Sequence, residues 1–427
     1  MTFFFHYLTN NQISRKRRRK CFNQKPQYAA NCTSIEDLPS HILIDILSRL
    51  PLKAILISRC VCKTWNLLIS DPLFNNNNTR SNAELFLGND HSTSISRTLH
   101  WVDLDCMSAT PTPTPTNYYT NLRFYLPESC SKYEIVNSCN GFLCLSKSIF
   151  KNPSIICNPV TGEYISIPQP KDDKNVTNNV VSGFGYSFKT NQYKVLRLVL
   201  NNFFLRMAEL YTLGTTTSWR KLGCAPLAPI GGLFPTYLNG VIHWACDDMD
   251  TSHFIVGFDF EQECFCVVPA PCHFDEKQKK KENMYHMNMG VLGGCLSICD
   301  VPYSTHFDIW VMKEYGVQQS WTKQFAIDNC LLCRPIKLVA NGDVLLMFYK
   351  RQGLVLYDPI KKNIRYLQIC DPHSIIFQAI TFAPTFVSLR DAVGIDGLEV
   401  QNGRSRFAEC EKDETLFLVE RSAPEVY

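Results

Sequence analysis

A turn of one shape recurs along this chain, each time between two runs of strand-forming residues. Asn158-Pro-Val-Thr-Gly-Glu163 is echoed by Phe258-Asp-Phe-Glu-Gln-Glu-Cys264 and by Asp358-Pro-Ile-Lys-Lys-Asn363. Two further pairs repeat: Leu238-Asn-Gly-Val-Ile-His-Trp244 with Ala340-Asn-Gly-Asp-Val-Leu-Leu346, and Ser218-Trp-Arg-Lys-Leu222 with Ser320-Trp-Thr-Lys-Gln-Phe325. Around them lie short runs rich in Val, Ile, Phe, Tyr and Leu, among them Gly141–Leu145, Tyr193–Val199, Phe254–Phe260 and Val344–Tyr349. Many short strands bounded by Gly, Asn, Asp and Pro make a sandwich, a barrel or a propeller. A strand–turn–strand unit with an aromatic, returning about every 40–50 residues, selects the propeller. Residues 83–390 are expected to form an all-β propeller of about six or seven blades at that period.

The 34–74 stretch follows a different rule. Leu43, Ile46, Leu47 and Leu50 recur at helical spacing, with Pro39 placed for a first turn and Pro51 for a stop. A second short helix is expected over Leu52 to Ile57. A third is expected from about Arg59, with Val61, Trp65, Leu68 and Ile69 on its apolar face and Asp71-Pro72 at its end. Three short helices cannot close a core alone. They also carry more apolar side chains than they can hide among themselves, a surplus that calls for a covering partner. The organisation is therefore multidomain, a small all-α unit followed by the propeller. An Asn-rich break at 75–82 joins the two, and a polar tail of unclear fold occupies 391–427. The alternating Pro and Thr of 111–116 read as an exposed loop.

Composition excludes several functions. Hydrophobic residues are 45% and charged residues 19% of 427, a globular balance. The net charge is +4, too mild to announce a nucleic-acid surface. Much of the excess is one run, Arg15, Lys16, Arg17, Arg18, Arg19 and Lys20, in a flexible arm over 1–33, which reads as a nuclear localisation signal or as a solvated charged tail. No apolar stretch is long enough for a transmembrane helix. The Phe3–Phe5 run precedes its basic cluster, the reverse of a secretory signal, so an intracellular protein with no membrane partner is expected. The 20 cysteines are scattered, many inside apolar runs, and read as reduced buried thiols. Cys330-x-x-Cys333 has no second pair at zinc spacing. There is no HExxH, GxSxG, Walker loop or GxGxxG. Accordingly no catalytic residue, metal site or cofactor is assigned. Trp219, Trp244, Trp310 and Trp321 are read as blade packing rather than a ligand cage.

Residues 36–74 resemble the F-box motif. Leu38-Pro39, Ile42-Leu43, Ile46-Leu47, Arg49-Leu50-Pro51, Arg59-Cys-Val-Cys-Lys63, Trp65 and Asp71-Pro72 match it in order and spacing, and Ile57 stands where a basic residue is frequent. The remainder resembles the F-box-associated propeller domain of plant F-box proteins, through Cys139-Asn-Gly-Phe-Leu-Cys144, Asn158-Pro-x-Thr-Gly-Glu163, Gly183-Phe-Gly-Tyr186, Leu238–Trp244 and Ile309–Val317. The resemblance implies a non-catalytic substrate receptor of a Skp–cullin–F-box ubiquitin ligase in nucleus and cytoplasm. The F-box would dock a Skp-type adaptor through Leu38, Pro39, Ile42, Leu43, Ile46, Leu47, Leu50, Pro51, Leu52, Leu56, Val61, Cys62 and Trp65. The cullin would join through the adaptor, and the propeller would hold a protein target through residues not identifiable here. Two other readings stand beside it: a nuclear nucleic-acid-binding protein using the basic arm and the helices, and a propeller hydrolase using paired carboxylates. Asp247, Asp248 and Asp250 read as loop residues, and the Lys-rich run Glu276 to Glu282 as a solvated excursion between blades.

Overall fold

The computed structural model describes residues 38–50, 52–71, 74, 84–91, 98–102, 122–125, 133–147, 152–170, 180–201, 205–215, 218–225, 235–246, 254–272, 274, 288–300, 306–328, 333–339, 344–349, 353–369, 374–394, 400–402, 405–407 and 418–421. Three helices come first: α1 (Ser40–Ser48), α2 (Leu52–Arg59) and α3 (Lys63–Ser70). Pro39 caps α1 from an extended conformation rather than sitting inside its first turn. The third helix begins later than its apolar pattern predicts. Arg59 closes α2, and Cys62 caps α3, its sulfur accepting from the Trp65 N–H at 3.4 Å. The sequence pattern runs on through 59–62 because the turn itself is apolar.

The rest is antiparallel sheet. Strands β1 (Glu84–His91), β2 (Thr98–Val102) and β3 (Leu122–Tyr125) come first. Five four-strand meanders follow in chain order. The first is β4 (Tyr133–Cys139), β5 (Phe142–Lys147), β6 (Pro153–Asn158) and β7 (Glu163–Ser166). The second is β8 (Val180–Ser187), β9 (Gln192–Asn201), β10 (Leu205–Thr212) and β11 (Arg220–Cys224). The third is β12 (Thr236–Leu238), β13 (Val241–Ala245), β14 (Ile255–Asp259) and β15 (Cys264–Val268). The fourth is β16 (Asn288–Leu292), β17 (Cys295–Asp300), β18 (His306–Met312) and β19 (Trp321–Asp328). The fifth is β20 (Cys333–Val339), β21 (Val344–Tyr349), β22 (Gly353–Asp358) and β23 (Asn363–Ile369).

Strand β24 (Ser374–Phe382) is not the start of another meander. It pairs with β1, Glu84 opposite Phe382 and His91 opposite Ser374, and so completes a composite sheet in the order β24-β1-β2-β3. Against the six or seven blades expected, the described residues hold six sheets, of which five are contiguous repeats of the predicted kind. Five contiguous meanders are present, and the sheet beside them is shared between two distant parts of the chain. Pairing across such a separation leaves no periodic trace for a sequence to show.

The polar tail also has a place. After the short helix α4 (Leu389–Val393), strands β25 (Gln401–Asn402), β26 (Ser405–Phe407) and β27 (Leu418–Arg421) add fifth strands beside β7, β3 and β23. Tail residues therefore cover three sheet edges that would otherwise present unpaired backbone groups.

The first strand of each meander lies innermost, and burial is most complete in the middle strands and least in the last. Every residue of β6 and β13 is buried, whereas β11 and β19 are largely exposed and β15 is mixed. The apolar clusters sit between adjacent sheets. Phe184, Tyr193 and Phe142 pack the first meander on the second; Ile242, Trp244 and Phe258 pack the second on the third. Outer-strand tryptophans fasten the linkers: Trp219 donates to the Pro168 carbonyl at 2.7 Å and Trp321 to Pro269 at 2.8 Å. This is the physical content of the repeated Ser-Trp, and it places both rings in packing roles.

One buried histidine carries a pH signature. His243 on β13 has its Nδ1 3.0 Å from the Thr236 carbonyl and its Nε2 2.7 Å from the Tyr315 hydroxyl. A carbonyl only accepts, so the proton sits on Nδ1 and Tyr315 donates to Nε2. Burial pushes the imidazole down to about 4 from an ordinary value of 6.5, opposed by the bond to Thr236. Between those two values the unfolded chain binds more protons than the folded one. Stability is therefore expected to fall by about 3 kcal/mol as pH drops from about 6.5 to 4, and to level off below. Urea unfolding of wild type against His243→Gln checks this: the glutamine cannot titrate, and equal pH slopes for both proteins would refute the assignment.

Candidate docking surface

The helical unit hides one face of its apolar surplus. Leu43, Leu47, Ile55, Leu56, Trp65, Ile69 and Phe74 are buried in a single cluster that continues into the propeller through Leu143, Leu145, Ile155, Val160 and Phe386. The i, i+4 pair Leu43 and Leu47 sets the buried stripe of α1. Part of the partner demanded by the surplus is thus the chain's own first meander. Four of the residues expected to dock the adaptor, Leu43, Leu47, Leu56 and Trp65, are interior in the chain by itself and pack the helices together.

Other apolar side chains of the helices are open to solvent. Ile42 and Val61 are each 40% exposed, and Pro39, three residues before Ile42, is exposed as well. Leu38, Ile46, Leu50 and Cys62 are half-buried. Pro51 and the side chain of Leu52 lie outside the described residues, as does the whole of Arg15–Lys20. Two exposed apolar residues were missed by sequence reasoning: Ile57 at 42% and Leu67 at 72%. Leu67 lies between Trp65 and Leu68–Ile69 in sequence but off their stripe. The signal available was that an apolar residue off the stripe has nothing within its own helix to cover it. Burial pulls the Arg59 guanidinium at the end of α2 below its ordinary value, while Cys60 and Glu163 of the propeller act in the opposite sense.

On the propeller, turns joining the first and second strands of a meander share one face with turns joining the third and fourth. That face carries exposed Phe188, Tyr315, Val317 and Ile360. At the hub, the inner strands leave a small cavity of about 80 Å³ lined by Asn137, Ser138, Thr236, Tyr237, Arg334 and Thr381, among others. Its described lining carries no Asp, Glu, His or Cys. Arg334 donates to the Ala379 carbonyl, and burial pulls its guanidinium down to about 10. Asp247, Asp248, Asp250, Cys330 and Glu276–Glu282 lie outside the described residues. Among the described residues no group of three or more His, Cys, Asp or Glu is placed to hold a metal ion, and no helix is long and apolar enough to cross a membrane.

Three helices with exposed apolar side chains on a ring of sheets define the class of architecture. Comparison with known proteins gives that class a family. Residues 35–77 match the F-box domain, and residues 98–388 match the F-box associated beta propeller domain. F-box protein At3g07870 of Arabidopsis thaliana is 31% identical over 375 residues, covering 76% of this chain and 86% of that one. F-box/kelch-repeat protein At3g23880 of the same plant is 26% identical, covering 78% and 91%. F-box protein CPR1, again from Arabidopsis thaliana, is 26% identical, covering 78% and 85%. The chain belongs to the plant F-box proteins that carry an F-box-associated β-propeller.

Proposed function

We propose that this chain is the substrate-receptor subunit of a Skp–cullin–F-box ubiquitin ligase. The F-box takes the adaptor, the adaptor takes the cullin, and the propeller holds a protein target. Catalysis belongs to other subunits. The chain contributes proximity, turning a bimolecular encounter between target and conjugating machinery into an intramolecular one. The observation that carries this reading is the set of exposed apolar side chains on the helical unit, Ile42, Ile57, Val61 and Leu67, in a segment of F-box sequence. Completing the burial of these partly exposed side chains contributes about 1–2 kcal/mol each, a share of the roughly 4–15 kcal/mol that association costs. Residence in both nucleus and cytoplasm, with Arg15–Lys20 as the import signal, belongs to the same proposal.

The test is affinity purification of the tagged full-length protein from plant cells with mass spectrometry. A Skp-type adaptor and a cullin are expected in the purified material, together with proteins that accumulate when the proteasome is inhibited. A folded protein that brings down neither adaptor nor cullin would overturn the reading.

A further inference from the structure

Three turns share one device and one of them does more. At Asp259, Oδ1 accepts from the N–H groups of Glu261 and Gln262, at 2.7 and 3.0 Å. At Asp358, Oδ1 accepts from Ile360 and Lys361, both at 3.0 Å. At the corresponding turn of the first meander the residue is Asn158, whose Oδ1 accepts from Val160 and Thr161 at 2.9 and 3.3 Å. An aspartate makes the turn equally well, since the turn uses only an acceptor. The amide adds two donors. Asn158 Nδ2 gives them to the carbonyls of Thr385 at 3.2 Å and Val387 at 2.9 Å.

The segment it grips is gripped again nearby. Glu163 Oε1 accepts from the Ser388 hydroxyl at 2.7 Å, and its Oε2 accepts from the Leu389 N–H at 2.6 Å. The positions five residues after Asp259 and Asp358 are Cys264 and Asn363, so a carboxylate at this place occurs in the first meander alone of the three turns. Gly141, at φ +80°, lets the segment lie directly on the β4–β5 turn: a Cβ there would sit 2.4 Å from Thr385 Cγ2 and 2.8 Å from its backbone nitrogen. Between these anchors Phe386 is fully buried, its ring edge-on to Phe74 of the F-box at 5.9 Å.

We infer that residues 385–389 are a latch, with Asn158 and Glu163 as positioning residues that hold Phe386 against Phe74 and so fix the F-box on the propeller. The helices need it, because Leu43, Leu47, Trp65 and Ile69 share their cluster with the first meander and lose part of their cover if the segment lifts. The functional consequence, a fixed angle between docked adaptor and held target, rests on the ligase reading; the latch itself does not.

Hydrogen–deuterium exchange on the full-length chain without any partner tests it. Asn158→Asp keeps the acceptor of both turn bonds, removes both donors and sets a carboxylate against two carbonyls. Phe386→Ala reaches the same contact while leaving the Asn158 turn untouched. In both variants the amides of α1–α3 are expected to exchange about ten- to a hundredfold faster, with β12–β19 unchanged. Wild-type exchange in α1–α3 of either variant would overturn the latch. So would a parallel rise in β12–β19, which marks general loss of stability instead. Failure of the wild-type protein to capture an adaptor would count against the ligase reading and leave this result standing.

Discussion

Ile42→Asp combined with Val61→Asp is expected to abolish adaptor capture while leaving thermal unfolding within a few degrees of wild type. Both side chains are substantially exposed, so each charge is solvated in the free protein and costs the fold little. Aspartate at Ile42 also falls in the first turn of α1, where the helix dipole favours it. In a complex the account reverses. Each position, already more than half covered, forfeits about 1 kcal/mol of further apolar burial and adds the larger cost of desolvating a carboxylate. A loss of at least 4 kcal/mol is about a thousandfold in affinity. Capture of adaptor by the double variant at wild-type yield would show that docking uses another surface. Leu38→Ala with Pro39→Ala is a milder change in the same direction, because Leu38 is half-buried and part of its contacts are internal.

Arg197→Met is expected to lower stability by about 3–5 kcal/mol, or roughly 10 °C in the unfolding midpoint. Arg197 and Glu209 face each other across β9 and β10, with Nη1 2.6 Å from Oε2. The guanidinium also donates to Asn152 Oδ1 at 2.8 Å, linking the second meander to the first. The side chain is 2% exposed and its partner 11%, so removing the cation strands a carboxylate where water does not reach it. Arg197→Met with Glu209→Leu should recover most of the loss, since a buried ion pair replaced by apolar groups of like size is often neutral. A single variant that unfolds within 1 kcal/mol of wild type would show the pair to be better hydrated than its burial indicates.

The repeated turns and the Ser-Trp pairs were enough to read a propeller, because each meander is local and its turn chemistry is written in adjacent residues. The F-box was legible for the same reason, its spacing being dense over some forty positions. What escaped was non-local. Nothing near Glu84 signals that its partner is Phe382, and nothing in the tail signals which sheet edge it covers. Burial within the F-box escaped for a different reason. Leu43 and Ile42 are adjacent and equally apolar, and only the position of the propeller decides that one is interior and the other open. Asn158 shows the limit most clearly. Its place in a turn follows from the residue type, but the use of its amide depends on a strand end more than two hundred residues away.

The composite sheet sets an order on synthesis. Strand β24 is the inner strand of a sheet whose strands β1 to β3 are made first, and close to three hundred residues separate β1 from the strand it pairs with. At about 5–20 residues per second the early strands wait roughly 15–60 s on the ribosome before their partner arrives. Phe382 and Phe386 belong to the same cluster as the F-box helices, so the helical unit waits with them. A nascent chain therefore reaches its finished helical unit only after nearly the whole propeller has been translated; under the proposed ligase role, the part that recruits the machinery is completed no earlier than the part that selects the target.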